Sequence, residues 1–429
     1  MTHETAPTDH FDIVVVGGGI AGLVAALSAA ERGTRVAIVD STSLGGRATT
    51  TVRDGYHYNV GPHALYHAGH LLPFLKTRGL EPAGREPASK TIRIVRDGGL
   101  HELTFSAIDL ARTRLLSPKS RMRVLALLAK LPRMRTDQFV GTTWQEWLGN
   151  EPDDVAGLLR MLGRVATYVN APATFDASAA LTQIKAALRG VRYLDGGWQT
   201  MVDSLAAAFV RRGGTVLESR TALAVHAGER LTVDTSAATL HARAVIVAGL
   251  SPTATVALTG AEVAGIDHLG GAVRAAVLDL ALDRVHDGVV FGVDEPLYLS
   301  PHAPVARLAP QSCGLVQLMR YVPDGEIGAT VAADRGRLRL LAEQAGILPE
   351  SVIHERYLHR LVVANGFPTA AGGGLAGRPS ATALGLDGVF VAGDWVGPRH
   401  QLADASSSSG EAAATLAVAH IAKRVGAGV

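Results

Sequence analysis

The chain has 429 residues, 47% of them apolar and 19% charged, which suffices for a large hydrophobic core and, by length, for two or three domains. Lysine plus arginine number 41 and aspartate plus glutamate 39, and this near balance argues against a nucleic-acid-binding protein. The single cysteine, Cys313, excludes an intramolecular disulfide and a cysteine-rich metal centre. The histidines are scattered, so no metal site is predicted.

The opening residues, MTHETAPTDHFD, lack the basic and apolar segments of a secretion signal. Uninterrupted apolar runs elsewhere are shorter than the roughly 18 residues that suggest a membrane-spanning helix. We therefore expect a soluble, cytoplasmic protein.

Residues 11–40 carry the strongest pattern in the chain. A short apolar run, residues 13–16, predicts a buried parallel strand. Three glycines in the spacing G-x-G-x-x-G follow at once: Gly17, Gly19 and Gly22. A helix is predicted over residues 20–32, with Gly33 as its C-terminal cap, and a second strand over residues 35–39 ends at Asp40.

Each of these residue types has a mechanical reason. Gly17 allows a tight turn, Gly19 lets a pyrophosphate approach the backbone, and Gly22 lets helix and strand pack closely. The helix N-terminus offers free amide groups and a partial positive charge to phosphates. Asp40 is placed to accept hydrogen bonds from ribose hydroxyls. A glycine-rich turn without a ligand would leave Asp40 unexplained, so the pattern predicts a dinucleotide site.

Gly46 and Arg47 follow the second strand closely. A guanidinium at this place has the fork geometry that suits phosphate oxygens, so we expect Arg47 near the pyrophosphate. The alternative is an ordinary turn with a solvated arginine.

With Gly61-Pro62-His63, these motifs resemble the flavin-dependent superfamily that contains phytoene desaturases, protoporphyrinogen oxidases and monoamine oxidases. The phytoene-desaturase-like branch is the most similar. The resemblance covers most of the chain and is specific for the cofactor rather than for the substrate. It implies an α/β fold, with a discontinuous Rossmann-like FAD-binding domain and an inserted α+β substrate domain.

Near the C-terminus a strand over residues 388–392 leads into Gly393-Asp394, and a helix begins near Ala403. The resemblance implies that Asp394 accepts hydrogen bonds from the ribityl chain. It also implies that the helix directs its positive end at the N1/C2 edge of the flavin, stabilising the anionic reduced form. In the family, backbone near the position of Ala222 contacts the adenine.

We therefore expect non-covalent FAD, since Cys313 lies far from the C-terminal motif. Plain NAD is the alternative, but it would leave Gly46-Arg47 and Gly393-Asp394 unexplained. The expected cofactor-binding residues are Gly17, Gly19, Ile20, Ala21, Gly22, Asp40, Ser41, Gly46, Arg47, Gly61, Pro62, His63, Ala222, Gly393, Asp394, Leu402 and Ala403.

The domain boundaries follow from changes of periodicity along the chain. The FAD-binding domain is expected to comprise residues 8–90, 190–270 and 365–429. The substrate-binding domain is expected to comprise residues 91–189 and 271–364, starting with a hairpin over residues 91–103. The substrate should then lie over the flavin, between the two domains.

The helix opened by Ser117-Pro118 carries a run of basic residues between leucines. Its basic residues are Lys119, Arg121, Arg123, Lys130, Arg133 and Arg135. One interpretation is an interfacial helix that contacts a membrane and admits a lipophilic substrate. The other, which we favour, is a solvated basic face over a core stripe.

The reaction class is inferred from the resemblance and from the absence of a lysine. Many amine oxidases of this superfamily keep a lysine near flavin N5, but no lysine lies between Lys185 and Lys423. We therefore predict an FAD-dependent dehydrogenase or desaturase, which passes hydride from an apolar or conjugated small molecule to N5. Flavin amine oxidation and reduced-flavin-dependent double-bond isomerisation are the alternatives.

His63 is the candidate catalytic residue, because its glycine-proline turn should bring it to the cofactor; a structural role is the alternative. The polar side chains expected near the flavin are His63, Tyr66, Tyr298, His302, Arg399 and His400. The expected partner is a small, apolar substrate. The oligomeric state and the electron acceptor are not predicted.

Overall fold

A computed structural model of the chain describes residues 9–87, 92–103, 110, 113, 115–228, 230–326 and 330–426. Two seven-stranded sheets dominate these residues. One contains the N-terminal glycine motif, and the other is formed mainly by residues between 273 and 364. A functional cleft at their junction is the expectation for such an arrangement.

The first sheet contains strands from the beginning, middle and end of the chain. Its strands are β1 (His10–Val16), β2 (Val36–Val39), β10 (Thr215–Leu217), β11 (Ala222–His226), β12 (Leu231–Thr235), β13 (Thr239–Ala248) and β21 (Val389–Ala392). The order is β10-β2-β1-β13-β12-β11, with β21 also beside β13. The pairs β2–β1, β1–β13 and β13–β21 are parallel, so their carboxyl ends meet at one edge.

Helices cover one face of this sheet. They are α1 (Ile20–Ala30), α2 (Leu71–Lys76), α7 (Gln199–Arg211) and α10 (Leu402–Gly426). Helix α1 lies between α7 and α10 and is buried at all of its positions, which explains its run of alanine, leucine and valine. The helix ends at Ala30 with Glu31 as its C-cap, so the predicted cap residue Gly33, which has a positive φ of 81°, lies two residues beyond the actual cap. The two strands and α1 form the parallel unit that the N-terminal pattern indicated.

The second sheet has the order β19-β15-β18-β17-β16-β7-β8. Its strands are β7 (Ile92–Arg96), β8 (Gly99–Glu102), β15 (Val273–Leu282), β16 (Val289–Gly292), β17 (Leu297–Ala303), β18 (Gly314–Tyr321) and β19 (Val352–Ala364). The hairpin predicted near residue 91 is β7–β8, although Thr91 itself lies outside the described residues. Neighbouring residues of β15 point to opposite faces of the sheet. Leu278 packs against helix α9 (Val331–Gln344), and Val277 faces the cleft.

A helical layer precedes the second half of this sheet. Its helices are α3 (Pro118–Lys130), α4 (Trp144–Leu148), α5 (Asp153–Thr167) and α6 (Ala177–Ala187), while α8 (Pro252–Thr259) follows β13. Ser117 caps α3 by accepting the backbone N–H of Ser120, and Thr143 and Glu146 form a capping box at the start of α4. Trp144 is buried in the core of this layer rather than at the cleft.

Short elements complete the described chain. The remaining strands are β3 (Thr50–Arg53), β4 (Tyr56–Asn59), β5 (Leu65–Tyr66), β6 (Gly84–Arg85), β9 (Val191–Leu194), β14 (Leu269–Gly270) and β20 (Phe367–Pro368). The 3₁₀ turns are Gly46–Ala48, Leu131–Arg133, Thr136–Phe139, Ile266–His268 and Pro349–Ser351. None of the helices in the described ranges combines the length and apolar character needed to cross a bilayer.

The basic helix α3 is amphipathic, as predicted. Val124 and Leu127 are buried, while Met122 is exposed. Arg123 pairs with the buried Glu151, so one basic group of this face is engaged within the protein. The two interpretations of α3 are therefore still a solvated basic face and a membrane contact. The domain boundaries given above also stay predictions.

Candidate active site

A large cleft runs along the edge where the parallel strands end and continues to the second sheet. Its empty volume is about 1310 Å³, open solvent at the mouth included. Both the N-terminal glycine motif and the C-terminal helix line it, together with side chains from β15, β18 and β19. This is the position at which ligands bind in open parallel sheets.

Bare backbone lines the part of the cleft beside α1. Gly19, the N-cap of α1, has a φ of −73°, and a β-carbon added to it would meet no atom nearer than 3.8 Å. Gly46 has equally open space, and Gly249 has no neighbour within 4 Å. No side chain caps the N-terminus of α1, so its first amide groups are available to a ligand. This surface fits a pyrophosphate.

Gly17 and Gly22 serve packing instead. A β-carbon on Gly22 would lie 1.8 Å from the carbonyl oxygen of Gly17. One on Gly17 would lie 2.1 Å from the carbonyl oxygen of Ala248. Helix α1 can therefore approach β1 and β13 only because these two positions lack side chains.

Asp40, at the end of β2, lines the cleft and organises the turn around it. Its carboxylate accepts the backbone N–H of Gly18 at 2.7 Å and that of Thr42 at 2.8 Å. The carboxylate is thereby fixed beside the glycine turn. Its two oxygens retain further acceptor capacity, which suits contact with a ribose hydroxyl.

Arg47 joins the two halves of the cleft. Its Nη1 donates to Asp394 Oδ2 at 2.7 Å and to the carbonyl oxygen of Val363 at 2.8 Å. Asp394 is almost fully buried and also accepts hydrogen bonds from the backbone and side chain of Asn365. A third of the Arg47 side chain is still exposed, so its guanidinium can contact an anion in the cleft.

Arg378 holds the loop between Asp394 and α10. It donates to the carbonyl oxygens of Asp394, Arg399 and His400. Burial lowers the pKa of Arg378 to about 10. Arg399 and His400 are therefore fixed by their backbone outside the cleft lining, whereas the sequence had placed their side chains near the flavin.

Asp404 stands in the first turn of α10, next to Leu402 and Ala403, and all three line the cleft. Its carboxylate accepts the backbone N–H of Leu71 at 2.8 Å, at the start of α2. Burial raises the pKa of Asp404 to about 6. The side chain ties the N-terminus of α10 to α2, and it was not among the expected site residues.

His63 lies on the cleft wall with its ring 4.6 Å from that of Trp198. Its Nδ1 is 2.9 Å from the carbonyl oxygen of Gly61. Since a carbonyl oxygen only accepts, Nδ1 carries the proton and Nε2 is left as an acceptor. Burial lowers the pKa of His63 to about 4, so the imidazole is neutral at pH 7.

The wall on the side of the second sheet is apolar and aromatic. Its side chains are Tyr168, Val277, Met319, Leu361, Val362 and Val363. Hydrogen bonds fix two tyrosines of the cleft: Tyr168 donates to the carbonyl oxygen of Pro62, and Tyr66 donates to that of Ala166. Lysine is absent from the lining of this cleft, so far as the described residues define it.

The structure brings most of the expected cofactor residues to the cleft. Those that line it are Gly17, Gly19, Ile20, Ala21, Asp40, Gly46, Arg47, Gly61, Pro62, His63, Asp394, Leu402 and Ala403. Gly22 and Gly393 lie just outside it. Gly22 is in the α1 packing contact, and Gly393 donates its N–H to Ser409.

Two other expected residues are not placed in the lining. Ser41 is exposed, and Ala222 is half-buried in β11, at the far edge of the first sheet. Residues that the sequence did not indicate include Trp198, Gly249, Leu361 and Asp404. Only Gly249 had a local signal, a glycine directly after the apolar β13 strand.

Solved structures share this fold over nearly the whole chain. Putrescine oxidase with bound putrescine has a TM-score of 0.76 at 15% identity and covers 96% of this chain and 99% of its own. Cyclohexylamine oxidase from Brevibacterium oxydans has a TM-score of 0.70 at 15% identity, covering 97% and 99%. A putative protoporphyrinogen oxidase from Exiguobacterium sp. gives 0.70 at 16% identity, also covering 97% and 99%. At these identities the likeness shows the fold.

Curated relatives match shorter segments. A coproporphyrinogen III oxidase from Propionibacterium freudenreichii subsp. freudenreichii is 32% identical over 151 residues, which are 35% of this chain and 24% of that protein. An uncharacterized protein from the nifH2 3′ region of Methanothermococcus thermolithotrophicus is 40% identical over 53 residues, 12% of this chain and 52% of its own. The matches thus span about a quarter and about half of these relatives.

Residues 12–265, more than half of the chain, match the family described as FAD dependent oxidoreductase. That segment contains the glycine motif, Asp40, Arg47 and the Gly61-Pro62-His63 turn, all of which line the cleft. The protein belongs to the FAD dependent oxidoreductase family, as the resemblance implied.

Proposed function

We propose that this oxidoreductase removes a hydride from an apolar or conjugated small molecule, in a dehydrogenation or desaturation. The apolar wall of the cleft opposite the glycine motif carries this proposal. It is formed by Val277, Met319 and Leu361, with Tyr168 as the polar-tipped member. Such a wall favours a substrate that binds by burial of apolar surface rather than by ion pairing.

The expected cofactor residues fit FAD in this cleft. The amide groups at the start of α1, with Gly19 and Gly46, would hold the pyrophosphate, and Asp40 would hold the adenosine ribose. Arg47 would neutralise phosphate charge, and Asp394 would accept ribityl hydroxyls. The N-terminus of α10, at Ala403, would face the pyrimidine edge of the flavin. Bound FAD supplies the hydride acceptor.

His63 is the proposed proton acceptor. Desaturation removes a proton as well as a hydride, and the proton requires a base at the cleft. Nδ1 of His63 donates to the carbonyl oxygen of Gly61, so Nε2 carries the lone pair that would accept the proton. Burial keeps the imidazole neutral at pH 7, so it can accept a proton from the substrate.

The charge of the cleft argues against two other substrate classes. A carboxylate-bearing substrate needs cations, yet the only guanidinium among the described lining residues is Arg47, which is paired with Asp394. Amine oxidation of the kind that uses a lysine has no such residue in the described lining. Lys185 instead donates to the carbonyl oxygen of Met134, away from the cleft.

Mass spectrometry of a single anaerobic turnover tests the proposal. FAD-loaded protein is incubated with a polyene, and the product should be lighter by two hydrogen atoms while the flavin becomes reduced. A product of unchanged mass, formed only after flavin reduction, would replace the proposal with isomerisation. Hydrogen peroxide released with amines, and no reaction with polyenes, would replace it with C–N oxidation.

A further inference from the structure

Tyr168 stands at the end of α5 in a backbone conformation that bulky residues rarely adopt. It is the C-cap of this helix, and its φ of 64° and ψ of −6° lie in the left-handed region. Glycine or asparagine is the usual residue at such a helix end, because a β-carbon is crowded there. Strained residues of this kind cluster at functional sites. The presence of a tyrosine at this position therefore requires an explanation from its surroundings.

The side chain of Tyr168 lines the cleft and is open to it. Three tyrosine or tryptophan residues belong to the described lining: Tyr66, Tyr168 and Trp198. Tyr66 is 7% exposed and Trp198 is 3% exposed, whereas Tyr168 is half-buried. Of these three residues, Tyr168 is thus the one most accessible to a ligand.

Tyr168 belongs to the wall on the side of the second sheet. It packs in one cluster with Val277, Met319 and Leu361, which line the same cleft. The buried ring of Tyr321 lies against it, with the two centroids 6.1 Å apart and the planes at 62°. The aromatic ring of Tyr168 is therefore set among aliphatic side chains at the place where the proposed substrate would bind.

A hydrogen bond fixes the far end of the ring. The Tyr168 phenol donates to the carbonyl oxygen of Pro62 at 2.9 Å. Burial raises the pKa of Tyr168, so the phenol keeps the proton that makes this bond. Pro62 directly precedes His63, the proposed proton acceptor. The ring is thus held at its backbone end by α5 and at its phenol end by the turn that carries the base.

We propose that Tyr168 determines substrate selection by stacking its ring against a planar, conjugated part of the substrate beside His63. Contacts between aromatic rings add to the free energy of burying their surface, whereas a puckered, saturated ring gains from burial alone. Because the Tyr168 ring is fixed at both ends, the substrate need not order it on binding. The aliphatic side chains of the wall bury either kind of ligand, so discrimination falls to the tyrosine.

This selection rests on the proposed function and narrows its substrate class. An apolar cleft alone would accept saturated and unsaturated molecules of similar size. With Tyr168 in the wall, molecules with a planar, conjugated segment next to the reacting carbon atoms are favoured.

Ligand binding to FAD-loaded protein with oxidised flavin tests this selection. Benzyl alcohol and cyclohexylmethanol, which differ in the planarity and conjugation of the ring, are titrated against the visible flavin spectrum. In Tyr168→Leu, benzyl alcohol should bind about fivefold more weakly, while cyclohexylmethanol should change by less than about twofold. Tyr168→Phe keeps the ring and should bind benzyl alcohol within about twofold of wild type. Tyr357→Leu, at a half-buried tyrosine outside the cleft lining, is the matched control and should leave both affinities unchanged.

A second readout uses wild-type protein and does not depend on the folding of a variant. With ¹³C-labelled tyrosines, benzyl alcohol should shift the ring signals of Tyr168, and cyclohexylmethanol should shift them much less. Equal weakening of both probes in Tyr168→Leu, the same loss in Tyr168→Phe, or no shift of the Tyr168 signals would overturn the selection. Loss of FAD binding in Tyr168→Leu would also overturn it, because the ring would then hold the cofactor.

The selection and the proposed function fail in different experiments. Both titrations are made at equilibrium and without turnover, so they report on the ring of Tyr168 whatever reaction follows. Amine oxidation or isomerisation by this protein would contradict the proposed function and would leave the binding preference for planar rings in place.

Discussion

Arg47 Nη1 lies 2.7 Å from Asp394 Oδ2, and this ion pair joins residues 347 positions apart in the chain. Arg47 follows the second strand of the glycine motif, and Asp394 follows the last strand of the same sheet. Both sit on the cleft, with Asp394 buried and Arg47 one-third exposed. The pair therefore closes the cofactor surface between its N-terminal and C-terminal parts.

Arg47→Ala should weaken FAD binding by about 10- to 100-fold, because a charge-assisted contact to phosphate is lost. The variant should remain folded, since Asp394 keeps two hydrogen bonds from Asn365. Titration of apoprotein with FAD, followed by flavin fluorescence, measures the effect. Arg212→Ala, at an exposed position after α7, is the control. Unchanged FAD affinity of Arg47→Ala would show that the guanidinium does not bind the phosphates.

Two glycine substitutions should separate binding from folding. Gly19→Ala adds a methyl group that meets only open cleft, so its melting temperature should equal that of wild type while FAD affinity falls. Gly22→Ala drives a β-carbon to 1.8 Å from Gly17 O, and should cost about 3 kcal/mol of stability. Thermal melts of both apoproteins and FAD titrations measure this. A Gly19→Ala protein with full FAD affinity would contradict the assignment of the pyrophosphate to the surface at Gly19.

Acid should destabilise the fold through its buried histidines. Burial lowers the pKa of His302 to about 3 and that of His63 to about 4, from 6.5. Below pH 6.5 these histidines take up protons in the unfolded chain but stay neutral in the folded protein. The free energy of unfolding therefore falls by about 1.4 kcal/mol per pH unit for each histidine. Asp404, whose pKa is raised to about 6, acts in the opposite direction between about pH 6 and 3.8.

Urea unfolding at pH 7 and pH 5 measures this dependence. Between these values His302→Phe should lose about 2 kcal/mol less stability than wild type. His101→Phe, at an exposed position, should follow the wild-type slope. A variant with the full wild-type slope would show that His302 is protonated in the folded state.

Lys185→Met should leave flavin reduction unchanged. Lys185 donates to the carbonyl oxygen of Met134 within the helical layer and does not line the cleft. The substitution should therefore affect stability alone, by about 1 kcal/mol for the lost hydrogen bond. Rates of anaerobic flavin reduction and thermal melts of the two proteins provide the comparison. A large fall in the reduction rate at unchanged stability would place a lysine in the chemistry after all.

The part of the site that the sequence could predict is the part encoded locally. Gly17, Gly19 and Asp40 lie within one strand-helix-strand unit, and their spacing alone determines where they meet. The Gly393-Asp394 pair follows the strand that was predicted over residues 388–392 and is found at Val389–Ala392. Ser117 was likewise recognisable as the start of a helix from its residue type and the proline that follows it.

Residues brought in by tertiary packing could not be predicted in the same way. Trp198 reaches the cleft because α7 packs on α1, and Leu361 does so because β19 pairs with β15 at an irregular register. Asp404 resembles an ordinary first-turn acid until its contact with Leu71 is known. His302, which was expected near the flavin, is buried at a β-bulge in β17, and such a bulge leaves no pattern in a single sequence.

Anaerobic bleaching of the visible flavin band tests the central claim most directly. FAD-loaded protein is mixed without oxygen with isoprenoid polyenes, porphyrinogens and amines, and the loss of flavin absorbance is followed. Hydride transfer from an apolar substrate to the flavin predicts bleaching by a polyene, and its recovery when oxygen or a quinone is admitted. Bleaching by amines or porphyrinogens with inert polyenes would contradict it.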